Sequence, residues 1–371
     1  MMNRDEAFAR WARVRRLMDE HELDALVAVD RSRDEIQAGA QRWLTGYIPV
    51  GGPAAALLDR DGRIELISER IGRPVAEHYA AQDLPIELVN GFSDRLLAER
   101  ISRRRPRRLG IAESGTFSWS LAAALGEGPS PVSLVDVSAA VGRLRLRKSA
   151  YELALVRESC RIADAVWEQV PDLFRVGRAN RDVVADIDHL ARREGSEGGF
   201  HLLLKLPFRG RPMQSVANPE LVEADSRYLI EISPRYEGYY SQLTIPATTR
   251  RDDERLLRGY HDVVEAKRAA QPLMRPGADL TEVAARVEGF LAERGHKMTS
   301  LSLGHFCGMA LEEPRHDPSM PFRLEEGMTL IFHPVLADPE CFSLMRADTY
   351  MITENGAERL NRYDGTVVTA S

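Results

Sequence analysis

The stretch from Tyr228 to Pro246, YLIEISPRYEGYYSQLTIP, constrains this chain more than any other. An apolar run rich in Tyr, Leu and Ile meets a turn signal at Ser233-Pro234 and a second at Glu237-Gly238. YYSQLTI then resumes as a strand, so the spacing predicts strand, turn, strand. Glu231 falls in the first strand, and Gln242 falls eleven residues later in the second. A carboxylate inside an apolar strand is either on the solvent face of an antiparallel sheet or buried. If buried, it must be hydrogen-bonded, paired, metal-bound or protonated, because an isolated buried charge is too costly.

With 371 residues the chain exceeds one ordinary core, and two domains are expected. A net charge of −6 gives no reason to expect nucleic acid or an acidic membrane surface as a partner. The N-terminal MMNRDEAFARWARVRRLMDEHE is charged throughout, unlike a secretory signal, and no apolar run reaches the length of a membrane span. Three scattered cysteines, Cys160, Cys307 and Cys341, read as reduced thiols and a cytoplasmic setting.

Taken in order, residues 5–22 carry a helical period and LDALVAVD (23–30) a buried strand. PAAALLDRDGRIELIS follows as a hairpin with an Asp-Gly turn at 61–62. Helices and strands alternate to SLVDVSAAV, as in an α/β domain with a partly parallel sheet. At VGRLRLRKSAYELALVRESCRIADAVWEQV the pattern changes to a long helix, which sets domains of 1–141 and 142–371. Two helix pairs, each followed by strands, then suggest an α+β domain with an internal pseudo-repeat.

These segments together resemble the pita-bread family of creatinases, proline-specific aminopeptidases and methionine aminopeptidases, in its two-domain, creatinase-like branch. LDALVAVD with WLTGY is similar to the N-terminal domain of that branch. RLRLRKSAYELALVRESCRIAD, IEISPRYEGYYSQLT, MRPGADL, GHFCGMALEEP, LEEGMTLIFHP and MITENGAERL follow in family order. The resemblance implies an α/β creatinase-like N-terminal domain, a pita-bread C-terminal domain with a pseudo-twofold repeat, and a homodimer.

The peptidase members hold two metal ions with Asp, Asp, His, Glu and Glu, hard donors around an activated water. Carried over by motif, those positions fall on Glu231, Gln242, His305, His333 and Ala347, and only His305 keeps the family residue. A further histidine that the family carries after GHxxG falls on Glu312. By this pattern the chain resembles creatinase and ectoine hydrolase more than the metallopeptidases. Those enzymes place a histidine where this chain has Gln214.

The expected function is therefore a metal-independent hydrolase of a C–N bond in a small polar amide, amidine or cyclic amidine, without cofactor. Glu231 would be nucleophile or base, and His305 or His333 the acid/base partner. Gln242, Thr244, Glu312 and Gln214 would bind the substrate, and Phe208, Arg209, Trp43 and Tyr47 would line the cleft. For the aromatic residues core packing is the equal alternative. Two other readings stay open: a mononuclear metal site of Glu231, His305 and His333, and a binding protein that kept the fold without the chemistry.

Overall fold

A computed structural model describes residues 2–31, 39–49, 52–126, 132–206, 219–298, 303–313, 322–337 and 344–369. The chain divides into two compact units, Met1–Arg145 and Leu146–Ser371.

The N-terminal unit contains six strands: β1 (Ala25–Asp30), β2 (Ala54–Asp59), β3 (Ile64–Ser68), β4 (Ile86–Asn90), β5 (Arg108–Ile111) and β6 (Ser133–Asp136). They form one sheet in the order β4-β3-β2-β1-β5-β6. The β1–β2 and β2–β3 pairs are antiparallel, and the other pairs are parallel. Its helices are α1 (Arg4–Glu20), α2 (Ala40–Thr45), α3 (Arg73–Ala81), α4 (Asp94–Arg103), α5 (Trp119–Gly126) and α6 (Ser138–Leu146), the last running to the division between the units. The Asp-Gly turn joins β2 to β3 as expected, with Gly62 at φ 89°. β1 is buried along its whole length because helices cover both faces of a mixed sheet.

The C-terminal unit begins with α7 (Ala150–Trp167), α8 (Val170–Leu173) and α9 (Asn180–Arg193). A capping box starts α7: Ser149 accepts from the Glu152 N–H, and Glu152 accepts from the Ser149 N–H. Strands β7 (Gly199–Leu206), β8 (Arg227–Tyr236), β9 (Tyr239–Tyr240) and β10 (Leu243–Thr248) follow. A second helix pair, α10 (Glu254–Ala270) and α11 (Leu280–Ala292), repeats that order of helices before strands. After it come β11 (Lys297–Met298), β12 (Gly304–Phe306), β13 (Thr329–Phe332), β14 (Val335–Ala337), β15 (Leu344–Met345), β16 (Asp348–Thr353), β17 (Gly356–Arg359) and β18 (Val368–Thr369). One sheet runs β18-β10-β8-β7 with β9 on β8, another runs β12-β13-β16-β17, and β11-β14-β15 is a third. This is the expected two-part, mixed α/β architecture.

One local expectation is corrected. Ser233-Pro234 makes no turn, and β8 continues through it to Tyr236. Pro234 stands opposite Gly199, at the end of the β7 pairing, where a missing N–H costs no ladder bond. The turn is at Glu237-Gly238, whose φ values are 42° and 93°.

No described helix is long and apolar enough to cross a membrane. Cys160 and Cys307 are buried free thiols, and Cys341 lies outside the described residues.

Candidate active site

Side chains alternate between the two faces of a strand, so register decides which residues share a surface. On β8, Tyr228, Ile230 and Ile232 belong to the main apolar core, as do Leu243 and Ile245 on β10 and Leu203 on β7. Glu231 therefore points to the other face. Its cross-strand partners there are Leu202 on β7 and Thr244 on β10. The second sheet is divided the same way. Leu330, Phe332, Tyr350 and Ile352 enter the core, while Ile331 pairs with His305 on one side and Thr349 on the other. Thr244 and Ala347 exchange N–H···O bonds of 3.1 Å in both directions and so join the two sheets. The face opposite the helices thus runs from Leu202 through Glu231 and Thr244 to Ala347 and His305.

Glu231 is 6% exposed. The solvent-facing alternative for this carboxylate is therefore excluded. Ser233, two residues on along the same face, donates its hydroxyl to Glu231 Oε1 at 2.9 Å. Burial pushes the carboxyl up to about 7, the Ser233 bond opposes that rise, and the charge of Glu312 adds to it. Gln242 is buried as well. Its Nε2 donates to Thr244 Oγ1 at 3.0 Å, its N–H donates to Thr349 Oγ1 at 3.0 Å, and its carbonyl accepts from Thr349 Oγ1 at 3.2 Å.

The rings of His305 and His333 meet edge to face, with centroids 5.2 Å apart. His305 Nδ1 lies 3.4 Å from its neighbour's carbonyl, Phe306 O. Nδ1 of His333 is fully buried without a hydrogen-bond partner among the described residues, although the residue as a whole is half-buried. Burial, His305 and the ammonium of Lys267 hold its pKa down to about 3. His333 is therefore a neutral imidazole near pH 7, able to accept or donate one hydrogen bond but carrying no proton to give as an acid. Gly304 enables the His305 strand to approach this closely. Its φ is 142°, and a Cβ there would lie 1.8 Å from Ile331 O.

The structure brings Glu231, Thr244, Gln242, His305 and His333 onto one face, with Glu312 near enough to Glu231 for its charge to be felt. It does the opposite for Trp43 and Tyr47. Trp43 is buried in the N-terminal unit under the guanidinium groups of Arg10 and Arg13, at 5.4 and 5.2 Å from its ring. Tyr47 is buried there too and donates to Arg70 O at 2.7 Å. Both are core residues, the alternative the sequence had left open. Phe208, Arg209 and Gln214 lie outside the described residues. Ser233 was not singled out by sequence, although a hydroxyl two residues from a buried strand carboxylate is a readable signal.

The donor set does not match a dinuclear metal centre. Gln242 carries no charge and spends its amide on Thr244, and Ala347 is a backbone partner without a donor. Among the described residues, no group of three or more His, Cys, Asp or Glu side chains is gathered to hold a metal ion. The mononuclear set of Glu231, His305 and His333 is not assembled either.

Relatives put this site in context. The model of the creatinase/prolidase N-terminal domain matches residues 10–147, and that of metallopeptidase family M24 matches residues 154–354. The chain is 24% identical to an Xaa-Pro dipeptidase of Pyrococcus horikoshii over 93% of this chain and 94% of that one. It is 26% identical to an uncharacterized peptidase, YqhT, of Bacillus subtilis, over 85% and 89%. Among solved structures, an Xaa-Pro dipeptidase from Bacillus anthracis superposes with a TM-score of 0.81 at 20% identity, covering 98% of this chain and 100% of that one. The prolidase from Pyrococcus horikoshii does so at 0.80 and 21%, covering 96% and 99%.

These findings correct the function expected from sequence. Relatives that span almost the whole chain include Xaa-Pro dipeptidases, and the family model that covers its C-terminal part is that of a metallopeptidase family. A metal-independent hydrolase of small amides and amidines therefore does not stand. What misled the sequence reading was to take the changed ligand positions as evidence of a changed substrate. With the creatinase/prolidase domain at its N-terminus and the M24 domain after it, the chain belongs to metallopeptidase family M24.

Proposed function

We propose that this chain hydrolyses the peptide bond of short peptides, with Xaa-Pro dipeptides as the first substrates to consider. The observation that carries the reading is a buried carboxylate, Glu231, hydrogen-bonded by Ser233 on a face shared by both sheets of an M24 domain, where burial pushes its pKa up to about 7. Dipeptidases among the relatives, aligned over most of both chains, support the peptide as substrate class.

A base poised near the working pH is partly free to take a proton and, once protonated, can return it. In this reading Glu231 takes a proton from water as the oxygen attacks the peptide carbonyl carbon. The C–N bond then breaks, and the proton passes from Glu231 to the leaving nitrogen, so that one water is consumed per bond. Ser233 holds the carboxylate in line, neutral His333 supplies a hydrogen bond to the carbonyl oxygen or the leaving group, and His305 supplies another. Thr244 and Glu312 border the same space as substrate contacts. A homodimer in the cytoplasm remains the setting we propose for it.

The test is product release from a panel of Xaa-Pro dipeptides, run on the protein as purified and with added Mn²⁺, Co²⁺ or Zn²⁺. Proline should appear, and Glu231→Gln should reduce the rate by about 100-fold or more, the order seen when a general base is lost. Folded protein that releases no proline under any of these conditions would overturn the proposal.

A further inference from the structure

The segment 307–313 joins the His305 strand to Glu312, and its anchor is a buried ion pair. Lys148 Nζ lies 2.7 Å from Glu313 Oε2, with the two side chains 1% and 2% exposed. Lys148 also donates from Nζ to Leu146 O at 3.1 Å and from its backbone N–H to Gly327 O at 2.9 Å. On the other side of the pair, Glu313 Oε1 accepts the Met309 N–H at 3.0 Å, and the Glu313 N–H donates to Phe306 O at 2.9 Å. The carboxylate fills the space over Gly308, where a Cβ would lie 2.4–2.6 Å from its atoms. Two further bonds tie the loop to the sheets: Tyr240 N–H to Gly308 O at 2.8 Å and Cys307 N–H to Thr329 O at 3.1 Å.

Neither Lys148 nor Glu313 lies on the Glu231 face, and the reaction proposed above gives neither a role. A buried ion pair adds little stability over an apolar pair of the same volume, because desolvating two charges offsets most of their attraction. What it does supply is one allowed geometry. The bond that Glu313 Oε1 accepts from the Met309 N–H depends on the carboxylate staying where Lys148 holds it.

We propose that Lys148 and Glu313 are a positioning clamp that sets the 307–313 loop, and through it Glu312 and His305, against the Glu231 face. The catalytic part of this inference rests on the peptide-hydrolase reading, but the placement of the loop does not.

The test replaces both charges at once, Lys148→Met with Glu313→Gln, so that no buried charge is left alone. In the folded double variant, amide hydrogen exchange across 308–313 should rise about tenfold or more while that of 329–332 stays at the wild-type rate. The imidazole NMR signals of His305 should move. On a dipeptide substrate kcat should fall by about 30-fold or more with KM nearly unchanged, since displacements of the order of 1 Å cost that much. Loop exchange and His305 signals equal to wild type would overturn the clamp. If the double variant does not fold, Glu313→Gln alone carries the test: loop exchange should rise about threefold, and wild-type exchange would overturn it. If the wild-type protein releases no proline, the proposed function fails while exchange and NMR still decide the clamp.

Discussion

Ser233 donates its hydroxyl hydrogen to Glu231 Oε1 at 2.9 Å, from two residues further along the same strand. This bond favours the charged carboxylate and so works against the burial that raises its pKa. Removing it should make the base harder to ionise. In Ser233→Ala the acid limb of the kcat/KM profile should move to higher pH than the wild-type limb, which is expected near 7. The measurement is a pH series on one dipeptide; an unmoved or lowered limb would show that Glu231 does not set it.

The same raised pKa has a cost in stability. In the unfolded chain the carboxyl returns toward 4.5, so between 4.5 and about 7 the folded state binds more protons than the unfolded state. Stability from this group is present below 4.5 and is lost as pH rises through 7. Glu231→Gln abolishes that dependence. Relative to wild type, the variant should gain on the order of 3 kcal/mol in unfolding free energy between pH 5 and pH 8. Urea unfolding at the two pH values checks this, and parallel curves would contradict it.

Gly304 is a backbone requirement rather than a packing one. Its φ of 142° and the 1.8 Å approach to Ile331 O leave no room for a methyl group. Gly304→Ala should destabilise the protein by about 3 kcal/mol or more, through strain and a displaced β12–β13 pair. A denaturation midpoint close to wild type would show that the strand can shift at little cost.

Behind the site, Asp348 accepts from Lys267, from Arg346 at 3.0 Å and from Arg359 at 2.9 Å. The carboxyl is held below its usual range by these three cations. Removing Asp348 strands two buried cations, whereas removing Lys267 leaves Asp348 with two guanidinium partners. Asp348→Asn should therefore cost about 3–5 kcal/mol and Lys267→Met distinctly less. Equal losses in chemical denaturation would mean that the ammonium is the partner on which the cluster depends.

Much of this architecture was readable in the order of residues. The Asp-Gly hairpin at 61–62 and the paired helices before strands rest on local rules of period and turn chemistry. Those rules hold wherever the segment ends up. The Ser233-Pro234 turn failed for the opposite reason. Proline interrupts a strand when its missing N–H is needed by a neighbour, and here Gly199 ends the ladder beside it. Trp43 and Tyr47 could not be sorted between cleft and core, because an aromatic side chain suits both until its neighbours are known.

Sequence alone determined that Glu231 is a carboxylate in an apolar strand, that a glutamine, Gln242, follows it eleven residues later, and that His305 follows a glycine. These are matters of residue identity and local spacing. Tertiary structure alone decided that Glu231 is buried, that Ser233 bonds it, and that Thr244 and Ala347 join the sheets that carry it and the histidines. It alone paired Lys148 with Glu313 across 165 residues. The reason is physical: a pKa, a shared face and a buried ion pair are set by desolvation and by contacts between distant segments, and neither is a property of local order along the chain.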